Sequence, residues 1–251
     1  MKLVLSKTYV HTSAMVAHII EGQLKSKPDS LIALPSGPTP EGMYEQLIDA
    51  YKKAEVDFSH AHFMGVDEYL GLGLNHPQSV AKSMYDRFFT PCDIRPDQIH
   101  LYDGANDPQN ETNSWNAFLD QIGGIDLIVS GIGLNGHLAY NEPAESLFPR
   151  VHVNVLSETT RLSIVKDFSD NSEVPSQIIT LGMGDLLNAR KIVIMATGNQ
   201  KSSVVRRIVN AKTVSTFFPA SFLILHPHAI LSADEDAGKE ISDKYKIVDN
   251  S

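Results

Sequence analysis

The stretch SLIALPSGPTPEGMYEQLIDAY, Ser30–Tyr51, decides the class of fold. Its opening SLIAL is an almost continuous apolar run of strand length, with no alternation to suggest an exposed face. Its closing half repeats apolar side chains at Met43, Leu47, Ile48 and Tyr51, the 3.6-residue spacing of one helix face. A strand buried on both sides, followed by a helix, is the repeating unit of a parallel sheet covered on both faces. The same alternation continues along the chain. Further strands are predicted at Ala61–Val66, Gln98–Tyr102, Asp126–Ser130, Val151–Val155, Lys191–Ala196 and Ala229–Ala233, and Val204, Val205, Ile208 and Val209 mark a later helix.

With no repeat, low-complexity segment or linker to divide it, the chain reads as one α/β domain over residues 1–251. The expected architecture is a single doubly wound, mainly parallel sheet with helices on both faces, a Rossmann-like three-layer sandwich. Residues 239–251 form a polar tail. The composition agrees: 251 residues, 42% hydrophobic and 20% charged, can bury a core without staples. A net charge of -9 argues against nucleic acid as a partner, which wants a basic face. Cys92 is the only cysteine, so there is no intrachain disulfide and no cysteine-based metal spacing. No apolar run approaches the roughly 20 residues of a membrane span, and the first residues lack a signal-peptide core, so a soluble, cytoplasmic protein is expected.

In such sheets ligands gather at the carboxyl ends of the strands, and three polar loops fall there. The first, PSGPTPEG (35–42), joins strand to helix through a Ser-Gly turn, with Thr39 as the expected N-cap and Pro40 as the first helical residue. Its amides and hydroxyls suit phosphate, although alone it is also an ordinary turn. The second carries Asp67 and Glu68 directly after a buried strand. A carboxylate there can be a general base; the plainer alternative has one capping a helix and the other in water. The third, GIGLNGHLAYNEP (131–143), sets an imidazole, two amides and a carboxylate among three glycines, a pattern more typical of a site than of a structural histidine. Its spacing is not that of a metal motif. The pair His226 and His228 reads as strand entry, Asp234–Asp236 as a solvated acidic turn, and Trp115 and Phe118 as one packed helix face.

Together these segments resemble the glucosamine-6-phosphate deaminase/isomerase family. The resemblance rests on LPSGPTPEGMY (34–44), GVDEYLGL (65–72) with HPQS (76–79), and IDLIVSGIGLNGHLAYNEPAESL (125–147). TLGMGDLLNARKIVIMATGNQK (180–201) and LHPHAILSADEDA (225–237) extend it over nearly the whole chain. It implies ring opening of an amino-sugar phosphate by His137, supported by Glu142, and proton transfer between C2 and C1 by Asp67. Ser36, Gly37, Thr39 and Lys201 would hold the phosphate. Lys166 falls near the place of a phosphate-binding arginine, where a lysine brings charge without the bidentate fork. The implied product is a ketose phosphate plus ammonia, a C–N bond hydrolysis that needs no redox cofactor and no metal. The family contains monomers and hexamers, which leaves a homo-oligomer open.

Two departures matter. Most of the family has Asp-Gly-His where this chain has Asn135-Gly136-His137. The amide can orient the ring but brings no charge, which leaves Glu142 to supply it. This form, with Val214-Ser215-Thr216 and Pro219–Phe222, is closer in appearance to the galactosamine-6-phosphate branch and places that sugar slightly ahead of glucosamine 6-phosphate. The stretch Phe148–Asn154 is poor in cations, so activation by an acetylated amino-sugar phosphate is not expected. Two rival readings use the same scaffold: a 6-phosphogluconolactonase-like hydrolase, disfavoured by Asn141-Glu142-Pro143, and a non-catalytic sugar-phosphate sensor, disfavoured by an intact Asp67 and His137.

Overall fold

The computed structural model describes residues 1–165, 168 and 173–241. Among these residues the strands are β1 (Lys2–Ser6), β2 (Leu31–Leu34), β3 (His62–Gly65), β4 (Asp67–Tyr69) and β5 (Ile99–His100), followed by β6 (Leu127–Gly131), β7 (His152–Val155), β8 (Gln177–Thr180), β9 (Lys191–Ala196) and β10 (Ala229–Asp234). The α-helices are α1 (Tyr9–Ser26), α2 (Glu41–Lys52), α3 (Val80–Met84), α4 (Pro108–Ile122), α5 (Glu158–Ile164), α6 (Met183–Asn188), α7 (Ser202–Val209) and α8 (Glu235–Gly238). None of the described helices is long and apolar enough to cross a membrane.

Seven strands form one wholly parallel sheet in the order β1-β10-β9-β6-β2-β3-β5. Successive side chains leave a strand on opposite faces, which divides the core in two. Ile32, Phe63, Leu127, Val129 and Val193 pack on one side against Val16 and Ile20 of α1, Met43 and Leu47 of α2, and Phe88. Ala33, Met64, Ile128, Ile192 and Ile194 pack on the other against Trp115 and Leu119 of α4 and Val205 and Ile208 of α7. Trp115 packs on Tyr102 with ring centroids 4.2 Å apart and planes tilted by 42°, and meets Phe118 edge-on at 5.4 Å, the packing role expected of that helix face.

The predicted strand at 151–155 forms, but outside this sheet. It is β7 of a separate antiparallel sheet, β4-β8-β7, in which Thr180 pairs with both Asp67 and His152. Its sequence HVNV mixes buried and exposed positions, as suits a sheet with one wet face. The half-exposed edge strand β1 and the short, polar β4 and β8 were not foreseen, because none is a continuous apolar run. The acidic turn at 234–236 is also only partly solvated. Asp234 is buried, and its carboxylate accepts N–H groups from Gly198 at 3.0 Å and Ala237 at 2.8 Å, the latter capping α8. His226 and His228 do sit at a strand entry: His226 Nε2 lies 2.8 Å from the Ala189 carbonyl and its Nδ1 accepts the His228 N–H.

The loop leaving β4 closes against Gly104, where an added Cβ would come within 2.0 Å of the Tyr69 carbonyl oxygen and 2.6 Å of that of Leu72. Both contacts are backbone atoms, and the Tyr69 carbonyl belongs to β4, so neither yields as a flexible side chain would. A Gly104→Ala variant should therefore lose about 1–3 kcal/mol of stability, the usual cost of an overpacked site, read as a lower urea midpoint at unchanged slope. A midpoint equal to the parent's would show that this loop yields freely.

Candidate active site

From β2 the chain winds outward through β3 and β5, then returns to lay β6 beside β2 before winding the other way through β9 and β10. The loops after β2 and β6 therefore part company, and a crevice opens at their carboxyl ends. A cavity of about 370 Å³ lies there. Ser36, Gly37 and Thr39 line it from the first loop, Asn135 and His137 from the second, and Asp67 and Lys201 from β4 and the turn before α7. Glu142 stands behind His137. Lys166 lies outside the described residues.

Glycines make the histidine loop possible at two points. Gly136 turns at φ +90°, and a Cβ on Gly133 would stand 2.4 Å from the imidazole Cε1, so the ring lies directly over bare backbone. Tyr140 stacks on the imidazole, with ring centroids 5.4 Å apart and planes 23° from parallel. His137 Nδ1 lies 3.5 Å from Glu142 Oε2, its ion-pair partner among the described residues. Asn135 acts differently from the expectation that it orients the ring. Its Nδ2 donates to Glu142 Oε2 at 2.6 Å and its Oδ1 accepts the His137 backbone N–H at 3.1 Å, so it orients the carboxylate and the loop.

The other oxygen of Glu142 accepts hydroxyls from Ser157, at 3.2 Å, and Thr160. Burial would raise this carboxyl, but His137, Thr160 and Asn135 outweigh it and hold the group down at about 2. It is ionised at every working pH and faces the histidine as a fixed negative charge.

Asp67 is the opposite case. It is buried, it faces the cavity, and its carboxylate has no hydrogen-bond or ion-pair partner among the described residues. Burial, with a smaller contribution from Glu68, pushes its carboxyl up to about 8. Glu68 fills the plainer role the sequence allowed for one of the pair. It accepts the N–H groups of Tyr69, Val80 and Ala81 at 2.8 to 3.0 Å, across the first turn of α3. Burial still pushes it up to about 7 against those three donors.

In the first loop, Gly37 turns at φ +93° and Pro40, not Thr39, occupies the N-cap of α2, with no side-chain cap. Glu41 begins the helix one residue later than expected. The Thr39 hydroxyl, unused as a cap, remains beside the cavity. Arg87 braces the loop from behind through the Gly37 carbonyl and an ion pair to Glu41. Lys201 Nζ donates to the Ile132 carbonyl at 2.6 Å, and burial lowers its pKa. It thus joins the histidine loop to the far wall of the cavity.

Several residues here escaped the sequence. Ser157 and Thr160 serve Glu142 from 15 and 18 positions away, on α5 and its N-cap, and nothing local announces them. Tyr140 lay inside the motif, but only the stacking distance gives it a role.

A model describing glucosamine-6-phosphate isomerases and 6-phosphogluconolactonases matches residues 6–231. The chain belongs to that family. It is 37% identical over 245 residues to a glucosamine-6-phosphate deaminase of Thermoanaerobacter pseudethanolicus, covering 97% of this chain and 96% of that one. A deaminase of the same name from Halothermothrix orenii is 37% identical over 238 residues, covering 94% and 98%. Among solved structures, a monomeric glucosamine-6-phosphate deaminase superposes with a TM-score of 0.92 at 34% identity, covering 95% and 99%. A 6-phosphogluconolactonase from Trypanosoma brucei shares the fold at a TM-score of 0.75 and 18% identity.

The raised Asp67 carboxyl has a consequence for stability. Below its ordinary pKa of 3.8 both folded and unfolded chains hold the proton and no penalty arises. As pH rises the unfolded chain ionises first, so stability falls until the folded carboxyl also ionises near 8. Asp67→Asn removes that cost. Its melting temperature should exceed the parent's by a margin that grows from pH about 4 and levels off above about 8. A margin flat across that window would contradict a buried, uncompensated carboxyl.

Proposed function

We propose that this protein is an amino-sugar 6-phosphate deaminase/isomerase. The observation that carries the reading is the placing, around one cavity, of His137 beside the ionised Glu142 and of a buried Asp67 that has no counter-charge among the described residues. A cationic amino group at C2 of a sugar is the partner Asp67 wants. Its approach would lower the carboxyl's pKa toward the working range and leave the base beside the proton it abstracts. A lactone brings no such charge, which counts against the lactonase alternative.

The phosphate rests on Ser36, Gly37 and Thr39 with Lys201. His137 moves a proton from the C1 hydroxyl to the ring oxygen as the C1–O bond of the ring breaks, and Glu142 stabilises the imidazolium that forms in passing. Asp67 then takes the proton from C2 while the C1 oxygen becomes an enol hydroxyl with a proton given up by the C2 ammonium, and Asp67 delivers its own proton to C1. The imine left at C2 is hydrolysed by water to the ketose phosphate, and the nitrogen leaves as ammonia.

For the sugar we favour glucosamine 6-phosphate, on which the named relatives act. The galactosamine expectation rested mainly on Asn135. Both polar groups of that amide are engaged by Glu142 and the His137 backbone, which gives it no reach toward C4. The absence of activation by an acetylated amino-sugar phosphate keeps its support: Arg150, the one lysine or arginine in Phe148–Asn154, is paired with Asp120 at 2.8 Å and Asp185 at 3.4 Å.

Ammonia release from glucosamine 6-phosphate and galactosamine 6-phosphate, measured side by side, tests the reading. We expect turnover of the first in preference to the second; ammonia from neither would overturn the activity, and preference for the second would overturn the choice of sugar. Asp67→Asn and His137→Gln should each lower kcat by about 10²–10⁴-fold, the range of a lost acid–base group. In the parent, kcat/KM should climb as pH rises toward about 8, where Asp67 loses its proton in the free enzyme.

A further inference from the structure

At the opposite end of the main sheet, where β6, β9 and β10 begin, lies a second cavity of about 410 Å³. Gln23 and Lys27 from the end of α1, Asp126 before β6, Arg190 and Lys191 at the start of β9, and His228 before β10 line it. The charges there run against those of the whole chain. Three permanent cations surround a single carboxylate, in a protein whose net charge is -9.

The carboxylate is already committed. Asp126 is buried; its Oδ2 accepts Lys27 Nζ at 2.7 Å and the Leu31 N–H at 3.0 Å, and its Oδ1 lies 2.9 Å from Arg190 Nε. That arrangement holds Lys27 and Arg190 in place but engages only the Nε edge of the guanidinium. Its two terminal nitrogens make no hydrogen bond or ion pair within the described chain. Among the described residues Lys191 has only a neutral partner, the side-chain amide oxygen Oε1 of Gln23 at 3.3 Å. The site therefore presents an excess of two positive charges, several unspent N–H donors and a concave floor. Water can solvate such a group; a tetrahedral oxyanion can bridge it. An arginine edge and an ammonium converging on one space match the oxygens of a phosphate.

We propose that this cavity is a second anion site, separate from the active site, that binds a phosphate group through Arg190, Lys191 and Lys27. The ligand is inorganic phosphate or the phosphate end of a small phosphorylated metabolite. The proposal does not depend on the activity assigned to the first cavity.

The test is calorimetric titration of the full chain at low ionic strength with inorganic phosphate and, separately, with glucose 6-phosphate. The parent should bind two phosphates per chain. Arg190→Gln/Lys191→Gln should lose one of them, with affinity at that site falling about tenfold or more as its charge-assisted bonds disappear. Lys201→Gln should weaken only the other. Tighter binding of the sugar phosphate than of inorganic phosphate at this site would identify a metabolite as the source; equal binding would identify the free ion. A measurement on the unaltered protein runs in parallel: phosphate should slow acylation of Lys27 and Lys191 by acetic anhydride, read by mass spectrometry. Unchanged stoichiometry in the double variant, or unprotected lysines at saturating phosphate, would overturn the proposal.

Discussion

The contact on which the rest depends is the pairing of β2 with β6, held in register by Ile32 against Leu127 and Ala33 against Ile128. At the start of these strands Asp126 accepts the Leu31 N–H and fixes the two chains together. At their far ends the connections turn away in opposite directions, because this is where the winding reverses. A parallel pair that is locked at one end and divergent at the other leaves a crevice without any side chain being set aside to make it. The loop after β2 and the histidine loop are simply the two lips of that gap.

Around the crevice, burial is turned to opposite ends. Two carboxyl groups, both poorly exposed, are separated by their surroundings: Glu142 is held near 2, against burial, by an imidazole, a hydroxyl and an amide, while burial and the neighbouring Glu68 push Asp67 up to about 8. Groups driven apart in this way can divide the labour of acid–base chemistry at one pH. One is a permanent charge and the other exchanges a proton. Thr180 links the two territories. It stands opposite Asp67 in the small sheet, and its hydroxyl accepts the Tyr140 N–H from the histidine loop at 3.1 Å.

Much of this was legible in the sequence, for reasons that can be named. Strands such as LIAL and KIVIMA are buried on both faces and so carry an unbroken apolar signal; β2 and β9 appear where that signal lies. The strands β4 and β8 carry Asp67, Glu68 and Gln177, and their pairing depends on partners over a hundred residues away, so no local pattern reveals them. The candidate residues of the three loops converge on one crevice because each loop follows a legible strand. Ser157 and Thr160 were invisible for the reverse reason: they come from α5, whose place beside Glu142 is decided by tertiary packing. Thr39 misled by one residue, since proline tolerates the N-cap and the helix begins after it.

The small antiparallel sheet separates two tasks that a single sheet would bind together. The cavity walls at Ser36, Gly37, Thr39 and Lys201 come from the loop after β2 and the turn before α7; the buried Asp67 carboxylate rides on β4, which is attached to β8 and β7 instead. Under the proposed function, a change in the second sheet can therefore swap the carboxylate while the loop after β2 stays put. The fold is in effect a socket with an exchangeable tool. A 6-phosphogluconolactonase has the same fold at 18% identity.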